Sequence, residues 1–261
     1  MKSVKYFQFV NIYLTTHICR YTHLVLTFAK QIEKSHLMKK LILIASAGML
    51  LLASCGGAEG DKATTAEAQD VAQQAGATYN VDPSASTLKW KAYHKGGFAP
   101  RFGTLNGSGT VSVENNAITA GSFVVDMNSL VVDPSSVGAD EGKKSTDLEG
   151  HLKSADFFQV DSFATAKFEV TNVGALDTTA TKSVVEGATN TISGNLTIKD
   201  KTVNLTFPAK VVVTDNDVTI DSKFTINRQD WGLTYGTEQG GPADWGIAQE
   251  VDIEMNIKAK K

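Results

Sequence analysis

The feature that most limits how this chain can fold is an alternation of apolar and polar residues with a period of two. Leu88, Trp90 and Ala92 alternate with Lys89, Lys91 and Tyr93. The same rhythm returns at Val111 and Val113, at Phe123, Val125 and Met127, and at Ala166, Phe168 and Val170. It continues at Leu196 and Ile198, at Val203, Leu205 and Phe207, at Phe224 and Ile226, and at Val251, Ile253, Met255 and Ile257. Successive side chains of a strand point to opposite faces, so each segment reads as a strand with one dry and one wet face. Antiparallel sheets carry that pattern, whereas parallel sheets are apolar on both faces.

Polar turns separate the segments. Glu114-Asn115-Asn116, Lys199-Asp200-Lys201 and Asp215-Asn216-Asp217 read as hairpin connections. One stretch, "DLEGHLKSADFFQV" from Asp147 to Val160, breaks the rhythm and predicts a short helical insertion with Ser154 as a cap. The loop before it, Val132 to Thr146, is rich in Gly, Ser, Asp and Lys. The expected class is all-β with about eight strands, and a sheet of that size hides its edges as a sandwich or a closed barrel. An eight-stranded barrel can be filled by its own side chains or can hold one small ligand.

The N-terminal part has a different texture. "MKKLILIASAGMLLLASCGG", Met38 to Gly57, joins a basic start to an apolar run from Leu41 to Ala53 and ends in small residues before Cys55. The run is shorter than the ~20 residues a bilayer-crossing helix needs, and it has the parts of a secretory signal. Leu52-Ala53-Ser54-Cys55 is similar to the lipobox of bacterial lipoproteins, in which the signal is cut before a cysteine that then carries lipid. A buried core helix would leave the following Gly-Gly and polar stretch unexplained. On this reading residues 1–37 are an upstream extension with Met38 the natural start, 38–54 are the signal peptide, and 55–78, poor in apolar residues, are a flexible tether. Residues 79–261 are the folded domain.

Removing the signal changes the charge. From Cys55 onward, 18 Lys/Arg against 27 Asp/Glu leave a formal net charge of −9. No basic stripe remains for nucleic acid. Of Cys19 and Cys55 only the second is retained, so the folded part has no disulfide.

Catalytic signatures are absent from the sequence: it has no nucleophile elbow, P-loop or dinucleotide fingerprint. His94 and His151 are the histidines of the folded part. His151 lies near Asp147 and Glu149 without zinc-motif spacing, so a solvated or backbone-bonded histidine is the better reading. The glycine-rich "GGFAPRFG", Gly96 to Gly103, reads as a strand connection rather than a phosphate cradle. Arg228 and Asp230 in "INRQDWG" share the parity of Phe224 and Ile226, which places both partly inside, as a structural charge pair in preference to a ligand contact.

Four segments in order, "YNVDPSASTLKWKAYH", "HLKSADFFQVDSFATAKFEV", "ISGNLTIKDKTVNLTFPAKV" and "FTINRQDWGL", together resemble the YceI-like, polyisoprenoid-binding family. The resemblance covers about Tyr79 to Lys258. It implies an extended antiparallel β-barrel of lipocalin-like shape that holds a long isoprenoid chain in a tunnel. It implies no cofactor beyond such a lipid, and no catalytic residues. Inward positions near the matching motifs become the expected tunnel wall: Phe123, Val125, Phe157, Phe158, Phe168, Leu196, Ile198, Leu205, Phe224, Ile226 and Trp231. His151, Arg228 and Asp230 are the polar candidates for its mouth. Lys95–Gly107 and Val132–Thr146 depart from the family pattern and are expected to border that mouth.

The partners implied are an isoprenoid or other long-chain lipid and a membrane reached through lipidated Cys55; the resemblance also allows a homodimer. The glycine after Cys55 suggests, by resemblance to lipoprotein sorting rules, an outer-membrane anchor facing the periplasm. Two other classes stay open at this point. An enzyme acting on such a lipid would place His151 or Asp230 at the floor of a polar cleft. A structural envelope lipoprotein would have a filled core.

Overall fold

Among the described residues, eleven strands form one sheet that closes on itself. They are β1 (Asp61–Lys62), β2 (Thr64–Ala66), β3 (Ala77–Val81), β4 (Thr87–His94), β5 (Arg101–Glu114), β6 (Ala117–Val132), β7 (Thr165–Ala175), β8 (Asn190–Ile198), β9 (Lys201–Val213), β10 (Asp217–Asn227) and β11 (Ile247–Lys260). Among the described residues one α-helix, α1 (Ser145–Lys153), interrupts them. The structure is a computed structural model and describes residues 57–138, 144–237 and 246–261. The expected upstream extension, the signal peptide and Cys55 lie outside the described residues.

The barrel follows from the register. β5 through β11 pair in sequence order, each antiparallel to the next. β3 and β4 together fill the position between β11 and β5, β3 toward one end and β4 toward the other. The result is a closed antiparallel barrel of eight strand positions. At the end we call the base, Asn115 and Asn116 both take positive φ, 52° and 61°. That is the conformation of the tight hairpin turns whose twist matches the flanking strands, and asparagine tolerates it. The opposite end carries α1 and the connections after β4, β6 and β10, and forms the mouth.

β9 and β10 pair only at Lys210–Val213 and Val218–Asp221, near the base. Toward the mouth they diverge, and the N-terminal segment fills the gap. β1 runs parallel to β10, with Asp61 opposite Phe224, while β2 runs antiparallel to β9, with Thr65 opposite Leu205. The segment then crosses the outside of the barrel. Gln69 exchanges hydrogen bonds with the Asn195 side chain at 3.0 and 2.7 Å, and the Ala72 N–H donates to the Val170 carbonyl at 2.9 Å.

Residues 57–76 are therefore a strap on the barrel where composition leads to a tether. The physical reason is that strand pairing is made by backbone groups and requires no apolar side chains. An open β9–β10 seam would leave rows of unpaired N–H and C=O groups, which the strap satisfies. Gly60 fits because a Cβ there would stand 2.5 Å from the Phe224 carbonyl carbon.

The helix differs in detail from the expectation. Ser154 closes its C-terminal end, its hydroxyl donating to the His151 carbonyl at 2.7 Å. At the other end the Asp147 carboxylate accepts from the Lys144 N–H at 3.0 Å, a third-residue acid reaching back to the cap. Leu148, Leu152 and Phe158 pack on a cluster of Trp90, Met127, Leu130, Val132, Val160 and Ala166. A larger cluster, including Val111, Ile118, Val170, Ile192, Phe207, Val218 and Ile220, fills the remaining inward positions.

Candidate functional site

The alternation along each strand sends one set of side chains into the barrel, and that set does not fill it. Leu196, Ile198, Val251, Ile253, Met255 and Ile257 point inward with Phe224 and Trp90, yet all six keep partial exposure. They face an internal cavity of about 1170 Å³. Drug-sized ligand pockets run to roughly 300–1,000 Å³, so this space suits a larger or longer guest. A filled core, the structural alternative, would leave no such space.

Four phenylalanines cross the cavity wall from strand to strand. Phe123 lies 6.2 Å from Phe168, Phe168 5.9 Å from Phe207, and Phe207 stacks on Phe224 at 4.1 Å with 12° between the planes. Small residues make room for the rings. A Cβ on Gly194 would meet Phe168 Cζ at 2.2 Å, and one on Gly109 would meet Phe123 Cδ1 at 3.1 Å. The rings lie against glycine backbone on the neighbouring strands instead of filling the centre.

At the mouth, α1 and the loops after β4 and β10 supply aromatic side chains. His151 meets Phe157 and Tyr235 edge-on at 5.1 and 5.0 Å, and Phe157 lies 5.0 Å from Tyr235. Nε2 of His151 is 3.0 Å from Asp156 Oδ2. On β4 and the loop that follows it, Phe98 stacks on His94 at 5.3 Å. Phe98 and Tyr235 are among the exposed large hydrophobic residues, and both also line the cavity. The segments expected at the mouth, Lys95–Gly107 and Val132–Thr146, contribute Phe98, Ala99, Arg101, Val137 and Lys144 to the lining.

The structure brings together ten of the eleven expected wall residues. Phe123, Val125, Phe157, Phe158, Phe168, Leu196, Ile198, Leu205, Phe224 and Ile226 all line the cavity. Trp231 does not. It is 2% exposed, and its indole N–H donates to the Leu196 carbonyl at 2.8 Å, which ties the turn after β10 to the barrel. The strand ends at Asn227 and a 3-10 turn spans Arg228–Trp231, so inward parity counted from Ile226 no longer holds there.

Of the polar candidates, His151 stands at the rim and Arg228 lines the cavity. The expected Arg228–Asp230 pair is replaced by two separate arrangements. Arg228, 4% exposed, donates to the carbonyls of Ala248, Leu233 and Ile247 at 2.9, 2.5 and 3.3 Å. Burial lowers its pKa from the usual guanidinium range. Asp230 lies outside the cavity and accepts from the Thr65 hydroxyl at 3.4 Å. Among the described residues, no group of three or more His, Cys, Asp or Glu is placed to hold a metal ion.

Other wall residues lie beyond the expected set. Val251, Ile253, Met255 and Ile257 of β11 line the cavity, and their alternation in the sequence was the available signal. Met127 continues the alternation of Phe123 and Val125, whereas Leu130, of the opposite parity, reaches the cavity through a shift in β5–β6 register between Thr104/Val131 and Asn106/Asp126, which sequence pattern does not show.

A second polar cluster sits on the outside wall, under the strap. Asp252, 3% exposed, accepts from the N–H groups of Glu59 and Gly60 at 2.8 and 3.2 Å. It also accepts from the Tyr93 and Thr225 hydroxyls at 2.9 and 2.5 Å. Burial, and then the Asp252 carboxylate, push the Tyr93 pKa well above the usual phenol value, so the hydroxyl stays a donor. Glu59 bridges Lys91 and Lys223 at 2.5 and 2.9 Å.

The comparisons with known proteins agree with this architecture. A family model described as the YceI-like domain matches residues 79–259, well over half of the chain. Among solved structures, that of BcnA from Burkholderia cenocepacia is similar at 19% identity and a TM-score of 0.50, covering 69% of this chain and 99% of that one. A polyisoprenoid binding domain from Saccharophagus degradans, implicated in plant cell wall breakdown, shares 16% identity with a TM-score of 0.44, covering 70% and 97%. The YCEI protein of Campylobacter jejuni shares 12% identity with a TM-score of 0.41, covering 59% and 81%. No curated protein matches the sequence. A closed antiparallel barrel with a hollow apolar interior, matched by the family model along nearly its whole length, makes this chain a member of the YceI-like family.

Proposed function

We propose that this protein is a lipid-binding module of the cell envelope: a barrel that holds an isoprenoid-type or similar long-chain lipid, for transport or storage, anchored to a membrane through Cys55. The observation that carries the reading is the cavity of about 1170 Å³, walled by aliphatic and aromatic side chains from every strand position of the barrel. Each CH₂ group moved from water into such a wall gains roughly 0.8 kcal/mol, so a polyprenyl tail is held by length alone, without specific polar contacts. The family's polyisoprenoid-binding relative from Saccharophagus degradans points to the same ligand class. The lipobox-like sequence before Cys55 supports the anchor and, with the glycine that follows, a location on the outer membrane facing the periplasm.

An enzyme acting at the mouth is less well supported. His151 is engaged with Asp156 at the rim, and Asp230 lies outside the cavity, so neither stands at the floor of a polar cleft. The test is lipid extraction and mass spectrometry of protein purified without delipidation. A stoichiometric long-chain lipid is the expected result. Protein that carries none, and takes up none when offered polyprenols, quinones or fatty acids, overturns the reading.

A further inference from the structure

The strap begins beside the mouth. A Cβ on Gly57 would meet Gly97 Cα at 2.9 Å and Tyr93 Cγ at 3.5 Å. Gly97 directly precedes Phe98, whose ring stacks on His94 at the rim of the cavity. Two residues later the chain is fixed in place, with the Glu59 N–H on Asp252 and the Glu59 carboxylate between Lys91 and Lys223. Two peptide steps separate Cys55 from Gly57, which limits their Cα separation to about 8 Å.

This spacing matters once Cys55 is acylated, a condition that rests on the anchor proposed above. A flexible tether of twenty residues would let the barrel take any orientation. A fixed attachment within two residues of the rim does not. The rim also carries exposed Phe98 and Tyr235, which both line the cavity, and the turn at Asn115–Asn116 marks the far end. Aromatic side chains of this kind are favoured at the level of lipid headgroups. An exposed apolar patch around an opening needs a partner, and here the attachment point supplies one.

We infer that the mouth of the barrel faces the leaflet that holds the Cys55 acyl chains, so that Phe98 and Tyr235 sit at the bilayer surface and lipid passes directly between that leaflet and the cavity. The occupant of the aromatic rim is the membrane itself. The barrel works as a fixed well on one membrane, and the base, with its hairpins, faces away.

The test uses the acylated chain in vesicles of phosphatidylethanolamine and phosphatidylglycerol, with bromine on the acyl chains as a quencher. Acylation of Cys55 leaves the mature chain without a free thiol, so a single introduced cysteine takes the fluorophore. Labels are placed at the rim, as Phe98→Cys and separately as Lys95→Cys, and at the base, as Asn216→Cys. Flotation reports attachment, and mass spectrometry reports acylation. The expected result is a floating protein with both rim labels quenched and the base label unquenched. A floating protein whose base label is quenched as strongly as its rim labels, or whose rim labels are not quenched, overturns the orientation while leaving the anchor intact. An unmodified thiol at Cys55 in protein from the host membrane removes the anchor and the orientation together, and leaves lipid binding to the extraction experiment above.

Discussion

The Tyr93 hydroxyl donates to Oδ2 of Asp252 at 2.9 Å, and both side chains are buried beneath the N-terminal strap. Asp252 is thus the point at which strap, β4, β10 and β11 are joined. Asp252→Ala leaves the Tyr93 and Thr225 hydroxyls and two backbone N–H groups without their acceptor. Its expected cost is about 3 kcal/mol, the scale of buried donors deprived of a charged partner. Urea denaturation checks this, and limited proteolysis should cut the variant first within residues 57–76. An unchanged midpoint and an uncut strap would contradict the clamp.

Glu59 adds a pH dependence. Hydrogen bonds from Lys91 and then Lys223 lower its pKa from 4.5 to about 2. A carboxylate whose folded pKa is depressed contributes stability above its unfolded value and loses it as pH falls through the folded one. The strap should therefore loosen between about pH 4.5 and pH 2. The side chain is half exposed, so solvent weakens the effect. Hydrogen exchange at Glu59–Ala63 across that range should show protection falling in the wild type, with Glu59→Gln lacking this component. Identical pH profiles for the two proteins would contradict it.

Arg228 ties the loop after β10 to the start of β11 through three backbone carbonyls, not through a carboxylate. Arg228→Met removes all three donors at a buried position and should lower stability by on the order of 3 kcal/mol. Lysine does not present the planar fork that reaches several carbonyls at once, so Arg228→Lys should recover only part of the loss. Equal midpoints for wild type and Arg228→Met in urea would show that the carbonyls find other partners.

Gly103 on β5 pairs with Val132 on β6. A Cβ there would stand 1.8 Å from the Val131 carbonyl oxygen and 3.1 Å from Nε1 of Trp90. The backbone must move to admit it, so Gly103→Ala should cost about 3 kcal/mol, at the upper end of overpacking effects. The thermal midpoint measures it. A variant as stable as the wild type would mean that the two strands separate freely at this point.

Much of this architecture is readable from the alternation, because a half-wet strand leaves the same period-two imprint wherever it sits in a barrel. The hollow interior is not. Leu196 and Ile253 would be the same residues in a packed core, and the difference lies in how far apart the opposite walls stand. Trp231 illustrates a second limit, since parity carries no information once the strand gives way to a 3-10 turn at Arg228. The strap illustrates a third. Asp61, Thr64 and Thr65 join the sheet through backbone groups, which composition does not report. Asp252 is an outward polar position in the β11 alternation, as its sequence neighbours suggest, but only the strap makes it a buried one.

The central claim is that the cavity is the lipid site, and native mass spectrometry of undelipidated wild type beside Ile253→Trp tests it most directly. Ile253 lines the cavity from β11, and an indole there narrows the channel while the outward face of the strand is unchanged. The expected result is a wild-type protein carrying a long-chain lipid and a folded Ile253→Trp variant carrying little or none. A wild type free of lipid, or a folded variant that retains the same lipid in the same amount, would contradict the account.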